Sequence, residues 1–203
     1  MYKFANQKEA GELANWCLDV LHDVQKEVSS YFTFDIRLIG SGEKKLITQN
    51  EDNAFDLDYN IILQRDKQNL LDSPKRIKEI FIQAFNNVLH ESISDYKYAS
   101  DSTSVITLKL VQNQTVSFSF DVAIIVEGDD GAFYRLTNDK KSGRYIWNEV
   151  PNSTDYLARF KTIKEDGLWL KFKERYLELK NMHLRRGDGL KSFSIFLETL
   201  NEF

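Results

Sequence analysis

Two aspartates, Asp56 and Asp58, stand one residue apart in the run DLDYNIIL, and a third, Asp121, lies in the run VSFSFDVAIIV. Both runs alternate polar and apolar residues, the period of a strand with one buried face. In the first run Asp56, Asp58 and Asn60 share one side while Leu57, Tyr59 and Ile61 share the other. In the second, Val116, Phe118, Phe120 and Val122 face inward together, and Asp121 sits on the opposite face in register with Ser117 and Ser119. Carboxylates at i and i+2 of a strand project side by side, which suits them to bridge two hard cations about 3.5–4 Å apart. A third carboxylate from a neighbouring strand closes such a site. The chemistry that needs this arrangement is nucleotidyl transfer, in which one cation activates the attacking oxygen and the other steadies the leaving pyrophosphate.

A turn that could grip phosphate precedes them. FDIRLIG reads as a short alternating strand ending on Gly40-Ser41-Gly42 and running into a flexible polar loop through about Asn53. Glycine lets the backbone approach a phosphate, and turn N–H groups with the Ser41 hydroxyl can hydrogen-bond its oxygens. Each piece alone is common. Their order carries the inference: strand, Gly-Ser, loop, Asp-x-Asp strand, helix, strands, third aspartate. Lys44 and Lys45 in that loop read as solvated charges.

The remaining elements follow from spacing. Leu13, Trp16, Cys17, Val20, Leu21, Val24 and Val28 make one helical stripe over about residues 6–29, so Cys17 reads as a core thiol. Ser73-Pro74 opens a second helix, with Ile77, Ile80, Phe81, Ala84, Phe85 and Val88 on its buried side. Strands return from about Lys97 to Val126. GDDG marks a turn, and a hairpin is expected through Phe133, Tyr134, Tyr145 and Trp147, whose aromatic rings pack inside more readily than they stack on a base. Beyond Pro151 the pattern is helical: Leu168, Phe172, Tyr176 and Leu179 form one stripe, RRGDG breaks it, and Phe193, Phe196, Leu197 and Leu200 form the last. His22, His90 and His183 show no metal-like spacing and read as structural or surface residues.

Composition bounds the class. With 203 residues, 42% hydrophobic and 29% charged, the chain can bury a real core while keeping a wet surface. A formal net charge of -4 and a pI near 5.5 speak against wholesale binding to a nucleic-acid backbone. A single cysteine, a start without the apolar stretch of a signal peptide, and no run of transmembrane length point to a cytoplasmic protein that does not enter a membrane.

Gly40-Ser41 in LIGSG, Asp56 and Asp58 in FDLDYNIIL and Asp121 in FSFDVAII resemble the motifs of the DNA polymerase β-like nucleotidyltransferase superfamily. The long loop after Ser41 looks most like the branch of oligoadenylate and cyclic-dinucleotide synthases. The resemblance covers the chain from Phe34 to its end. It implies that the serine contacts a nucleoside triphosphate, that the three acids bind two metal ions, Mg2+ with Mn2+ as an alternative, and that the third acid helps deprotonate an acceptor hydroxyl. It also implies triphosphate contacts from Lys180 in RYLELKN and Ser194 in KSFSIFLETL, with Ser192 as the alternative to Ser194, and it matches Gly143 to Pro151 to the segment linking sheet and helices. The chain departs in size from that branch, whose helical lobe is larger. The expectation is therefore an α+β fold: residues 1–150 form a catalytic sheet domain with an N-terminal helix, and residues 151–203 a helical lobe closing a cleft. The expected activity moves a nucleoside monophosphate from a triphosphate to an acceptor hydroxyl. The acceptor stays open among a nucleotide, an RNA end, a protein and a small molecule, as does the oligomeric state. The competing reading is a non-catalytic nucleotide-binding protein or a toxin–antitoxin-type interaction protein on the same fold.

Overall fold

The alternating runs do form strands, and helices cover the apolar face they present. The structure, a computed structural model, describes residues 1–50, 55–92, 98–112, 115–151 and 155–203. In chain order the elements are β1 (Tyr2–Phe4), α1 (Gln7–Glu27), β2 (Phe32–Ile39), α2 (Gly40–Glu43), β3 (Thr48–Asn50), β4 (Asp56–Asp66), α3 (Pro74–Ser92), β5 (Ser100–Asp101), β6 (Ile106–Gln112), β7 (Thr115–Glu127), β8 (Phe133–Asp139), β9 (Arg144–Glu149), α4 (Asp155–Glu165), α5 (Trp169–Arg186) and α6 (Ser192–Asn201). The fold is α+β, as the sequence led us to expect. Two units are distinguished: Met1–Ala5 with Thr48–Asn53 and Pro151–Phe203, and Asn6–Ile47 with Ala54–Val150.

The larger unit holds a seven-stranded mixed sheet in the order β2-β4-β7-β6-β5, with β8 on β7 and β9 on β8. β4 and β7 run parallel at its centre, and the other pairs are antiparallel. Leu57, Tyr59 and Ile61 of β4 and Phe118, Phe120 and Val122 of β7 are buried on one face. Cys17, Val20, Leu21 and Val24 of α1 and Ile77, Phe81, Ala84 and Phe85 of α3 are buried too, and aromatic contacts bind helices to sheet. The Phe32 and Phe81 rings stack at 5.7 Å, and the Trp16 and Phe85 rings meet Phe120 edge-on at 5.9 and 6.4 Å. Ring pairs of this kind add about 0.5–1.5 kcal/mol each beyond their buried area.

Local chemistry sets the helix ends. Asn6 caps α1, its Oδ1 accepting from the N–H groups of Lys8 at 3.0 Å and Glu9 at 3.3 Å, a cap worth about 1 kcal/mol. α3 opens at Pro74, where a missing N–H costs nothing. Cys17 is a core thiol: it is fully buried, hydrogen-bonds Tyr59, and burial pushes its pKa up.

One expectation is corrected. The segment after Ile39 is not a flexible loop: Gly40–Glu43 forms one helical turn, closed by Leu46 N–H donating to the Ser41 carbonyl at 2.9 Å and anchored by Leu46, which is buried. Thr48–Asn50 then pairs with β1, a strand pair the polar composition did not announce. The side chains of Val116 and Ser117 lie outside the described residues.

In the smaller unit α5 packs on α6 and β1, and α4 packs on both α5 and α6. Phe160, Phe172 and Phe196 form its centre, and Gly187 ends α5 in the left-handed conformation at φ 66°. Among the described residues no helix is long and apolar enough to cross a membrane.

Candidate active site

Parallel pairing of β4 with β7 decides which acids meet. Asp56 lies opposite Ser119, Asp58 opposite Asp121, and Asn60 opposite Ala123. Because their neighbours Leu57, Tyr59, Phe120 and Val122 are buried on the helix side, all three acids project from the other face. Further along that same face the sheet turns apolar: Ile62, Ala123 and Ile125 pack with Val105, Phe133 and Val150. The acids thus occupy the polar end of an otherwise packed surface.

Asp58 and Asp121 are in electrostatic conflict. Burial, then the charges of Asp121 and Asp56, push the Asp58 carboxyl up to about 6, opposed by the Arg135 guanidinium. Burial also raises Asp121, partly offset by a hydrogen bond from the Thr107 hydroxyl, whose residue stands directly opposite on β6. Asp121 Oδ1 is buried with no hydrogen-bond partner, as are Asn60 Oδ1 and Arg135 Nε. Buried polar atoms are nearly always paired, so three orphans on one surface mark a place shaped for something polar. Asp56 is the exception, being exposed, with Ser119 Oγ donating to its Oδ1.

Gly40 stands against this cluster. Its φ is 66°, and a Cβ built there would lie 2.8 Å from Asp58 Oδ2. Glycine is required twice, by the left-handed backbone and by the approach of the carboxylate. Ser41 follows it as the second residue of α2 and is half-buried. Lys44 is buried rather than solvated, its Nζ 3.4 Å from the Gly40 carbonyl oxygen and 3.3 Å from Glu43 Oε2.

Hard oxygen donors on facing strands suit a divalent cation, and the unpartnered Asp121 Oδ1 fits one. Among the described residues no three acidic, histidine or cysteine side chains already stand in a metal-ligating cluster. Asp58 stands opposite Asp121 with like charge, and Asp56 is engaged by Ser119. A cation held here would offset the like charges and compete with Ser119 for Asp56.

Lys180 and Ser194 belong to the smaller unit. Lys180 is buried, donates to Thr48 Oγ1, and lies over the Tyr2 ring at 4.5 Å; burial pushes its ammonium down to about 8. Ser194 is exposed on α6, whereas Ser192 hydrogen-bonds Tyr176. His183 is structural, as expected: Asp188 Oδ2 lies 2.6 Å from Nδ1 and Glu198 Oε2 2.8 Å from Nε2, and both partners raise its pKa. Tyr145 and Trp147 are likewise tied into the larger unit, Tyr145 donating to Asp101 and Trp147 to the Leu71 carbonyl.

Sequence reasoning missed Arg135 and Thr107. Arg135 lies on the acids' side of β8, opposite Ile125, and burial lowers its pKa while Asp58 raises it. Alternation within β8 was readable; its register on β7 was not.

No family model and no curated protein matches the chain. Among solved structures it is similar to the CD-NTase CdnG of Bradyrhizobium diazoefficiens in complex with GTP, with TM-score 0.53 and 13% identity over 75% of this chain and 42% of that one. It is similar to E. coli CdnC with ATP, with TM-score 0.55 and 15% identity over 95% of this chain and 58% of that one. It is also similar to the cyclic AMP-GMP synthase DncV of Vibrio cholerae in complex with a linear intermediate, with TM-score 0.62 and 11% identity over 84% of this chain and 47% of that one. The chain spans about half the length of these structures. The resemblance read from the sequence therefore holds at the level of the fold, which this chain shares with these structures.

Proposed function

We propose that this chain is a nucleotidyltransferase that moves a nucleoside monophosphate from a nucleoside triphosphate to an acceptor hydroxyl and releases pyrophosphate. One observation supports it above the rest: Asp58 and Asp121 face each other across parallel strands with an oxygen of Asp121 buried and unpartnered, while the Gly40 backbone lies against Asp58. The solved structures of the same fold add weight, two carrying GTP or ATP and one a linear intermediate of a cyclic dinucleotide.

In this reading Asp56, Asp58 and Asp121 would hold Mg2+ or Mn2+, which when bound supplies charge neutralisation for the triphosphate and its leaving group. The Gly40-Ser41 turn presents backbone N–H groups and the Ser41 hydroxyl to phosphate oxygens. The acceptor oxygen forms a bond to the α-phosphorus as the bond to the bridging oxygen of pyrophosphate breaks, and Asp121 takes the hydroxyl proton. Lys180 and Ser194 stand as further triphosphate contacts on the resemblance alone. We place the reaction in the cytoplasm, where the lone buried thiol needs no oxidising compartment.

The test is incubation of the protein with each labelled triphosphate, a panel of acceptors, and Mg2+ or Mn2+. The expected result is metal-dependent pyrophosphate release that Asp58→Asn abolishes. Release that survives Asp58→Asn, or none with any triphosphate and acceptor, would reject the proposal.

A further inference from the structure

Asp121 Oδ1 is buried and accepts nothing, and Thr107 stands directly opposite Asp121 in the β6–β7 register, with its hydroxyl within reach of the carboxyl group. An ionised carboxylate can only accept, so the Thr107 hydroxyl donates its one proton to Asp121. Ser102 Oγ lies 3.0 Å from Thr107 Oγ1 and must then be the donor in that contact. Behind it the segment is pinned. Ser102 N–H lies 3.1 Å from the Ser100 and Val105 carbonyl oxygens, and the Ser102 and Val105 carbonyls accept from Lys78 Nζ at 3.2 and 3.0 Å. Lys78 is 1% exposed on α3, so this anchor is set in the core. A directional hydroxyl pair thus runs from a fixed segment to the third acid.

We propose that Thr107 is a positioning residue for Asp121, with Ser102 behind it. Together they hold one carboxylate oxygen toward β6, so that Oδ1 is presented to a divalent cation. The assignment rests on the functional reading above. Partners in this position orient metal-binding carboxylates, and their loss typically weakens metal affinity 10–100-fold.

The experiment is titration of the full chain with Mn2+ alone, following the paramagnetic resonance signal of unbound ion, for wild type, Asp58→Asn, Thr107→Val, Thr107→Ser and Ser102→Ala. We expect Thr107→Val to weaken binding about tenfold or more, Thr107→Ser to restore it to within about twofold, and Ser102→Ala to fall between. Wild-type affinity in Thr107→Val, in a background where Asp58→Asn abolishes binding, overturns the positioning role. So does failure of Thr107→Ser to rescue. If Thr107→Val does not fold, Ser102→Ala carries the test, and wild-type affinity there overturns it equally. Equal Mn2+ binding by wild type and Asp58→Asn would be a different failure, that of the metal site itself.

Discussion

Two groups of buried charge sit in the larger unit, and they are built on opposite principles. Around Lys78 nearly everything is paired: its ammonium donates to two carbonyls, lies 3.3 Å from Asp101 Oδ1, and the other oxygen of Asp101 accepts from Tyr145 and Asn138. Asp101 Oδ1 accepts no well-angled hydrogen bond, but it faces a cation. Around Asp58 and Asp121 the reverse holds. Like charges face each other, and an oxygen, an amide and a guanidinium nitrogen are left without partners. The first arrangement ties α3 to β5 and the β8–β9 hairpin. The second costs stability, which is what a site waiting for a ligand is expected to do.

The sharpest way to break this contrast is to remove one member of the satisfied group. Lys78→Met leaves Asp101 half-buried without its cation and should destabilise folding by about 3 kcal/mol, measured by urea denaturation. An equal loss from Asp58→Asn would erase the distinction.

Asp58→Asn is instead expected to lower the rate of pyrophosphate release by more than about a hundredfold. Its stability should rise by about 1 kcal/mol above pH 7. That is less than the full pKa displacement is worth, because the carboxylate is partly exposed and Arg135 loses its partner.

The pH dependence of that gain follows from the sign of the displacement. Asp58 titrates near 6 in the folded chain, above its unfolded value, so the folded state holds the proton more tightly. Stability from this group is complete below the unfolded pKa and is lost as pH rises through about 6. The difference in Tm between Asp58→Asn and wild type should therefore be near zero in acid and level off above pH about 6, and Mg2+ should shrink it by stabilising the wild type alone. A difference that does not vary with pH would contradict the assignment.

The smallest effects compare two glycines. Gly40→Ala drives a methyl group into Asp58 at a left-handed position and should lower both stability and turnover, by about 1 kcal/mol in folding. Gly11→Ala, in α1 with nothing within 4 Å of its new Cβ, should stabilise by up to about 1 kcal/mol and leave turnover unchanged. Thermal melts and turnover assays of both proteins check the pair.

Much of the arrangement of the candidate site was legible because strand alternation is local. Leu57, Tyr59, Phe120 and Val122 are buried where the period demanded, and the three acids follow by parity. What joins Asp58 to Asp121 is the β4–β7 register, a long-range property that motif order could only suggest. Thr107 and Arg135 depend on two further registers and were invisible for that reason. The turn after Ile39 was misread because its polar residues mask the one anchor, Leu46, which is 1% exposed. Lys78 is buried on a helix whose apolar stripe was read correctly, but nothing adjacent in sequence announces Asp101 as its partner. β1 and β3, three residues each, are too short to show a period.

The central claim is that the conflict between Asp58 and Asp121 exists to hold cations beneath a triphosphate. A crystal structure of the protein grown with Mn2+ and a non-hydrolysable triphosphate analogue, with anomalous scattering to locate manganese, tests it most directly. The account predicts manganese bound to Asp58 and to Asp121 Oδ1, with Asp56 drawn away from Ser119. Analogue bound elsewhere, or no manganese at these carboxylates, would contradict it.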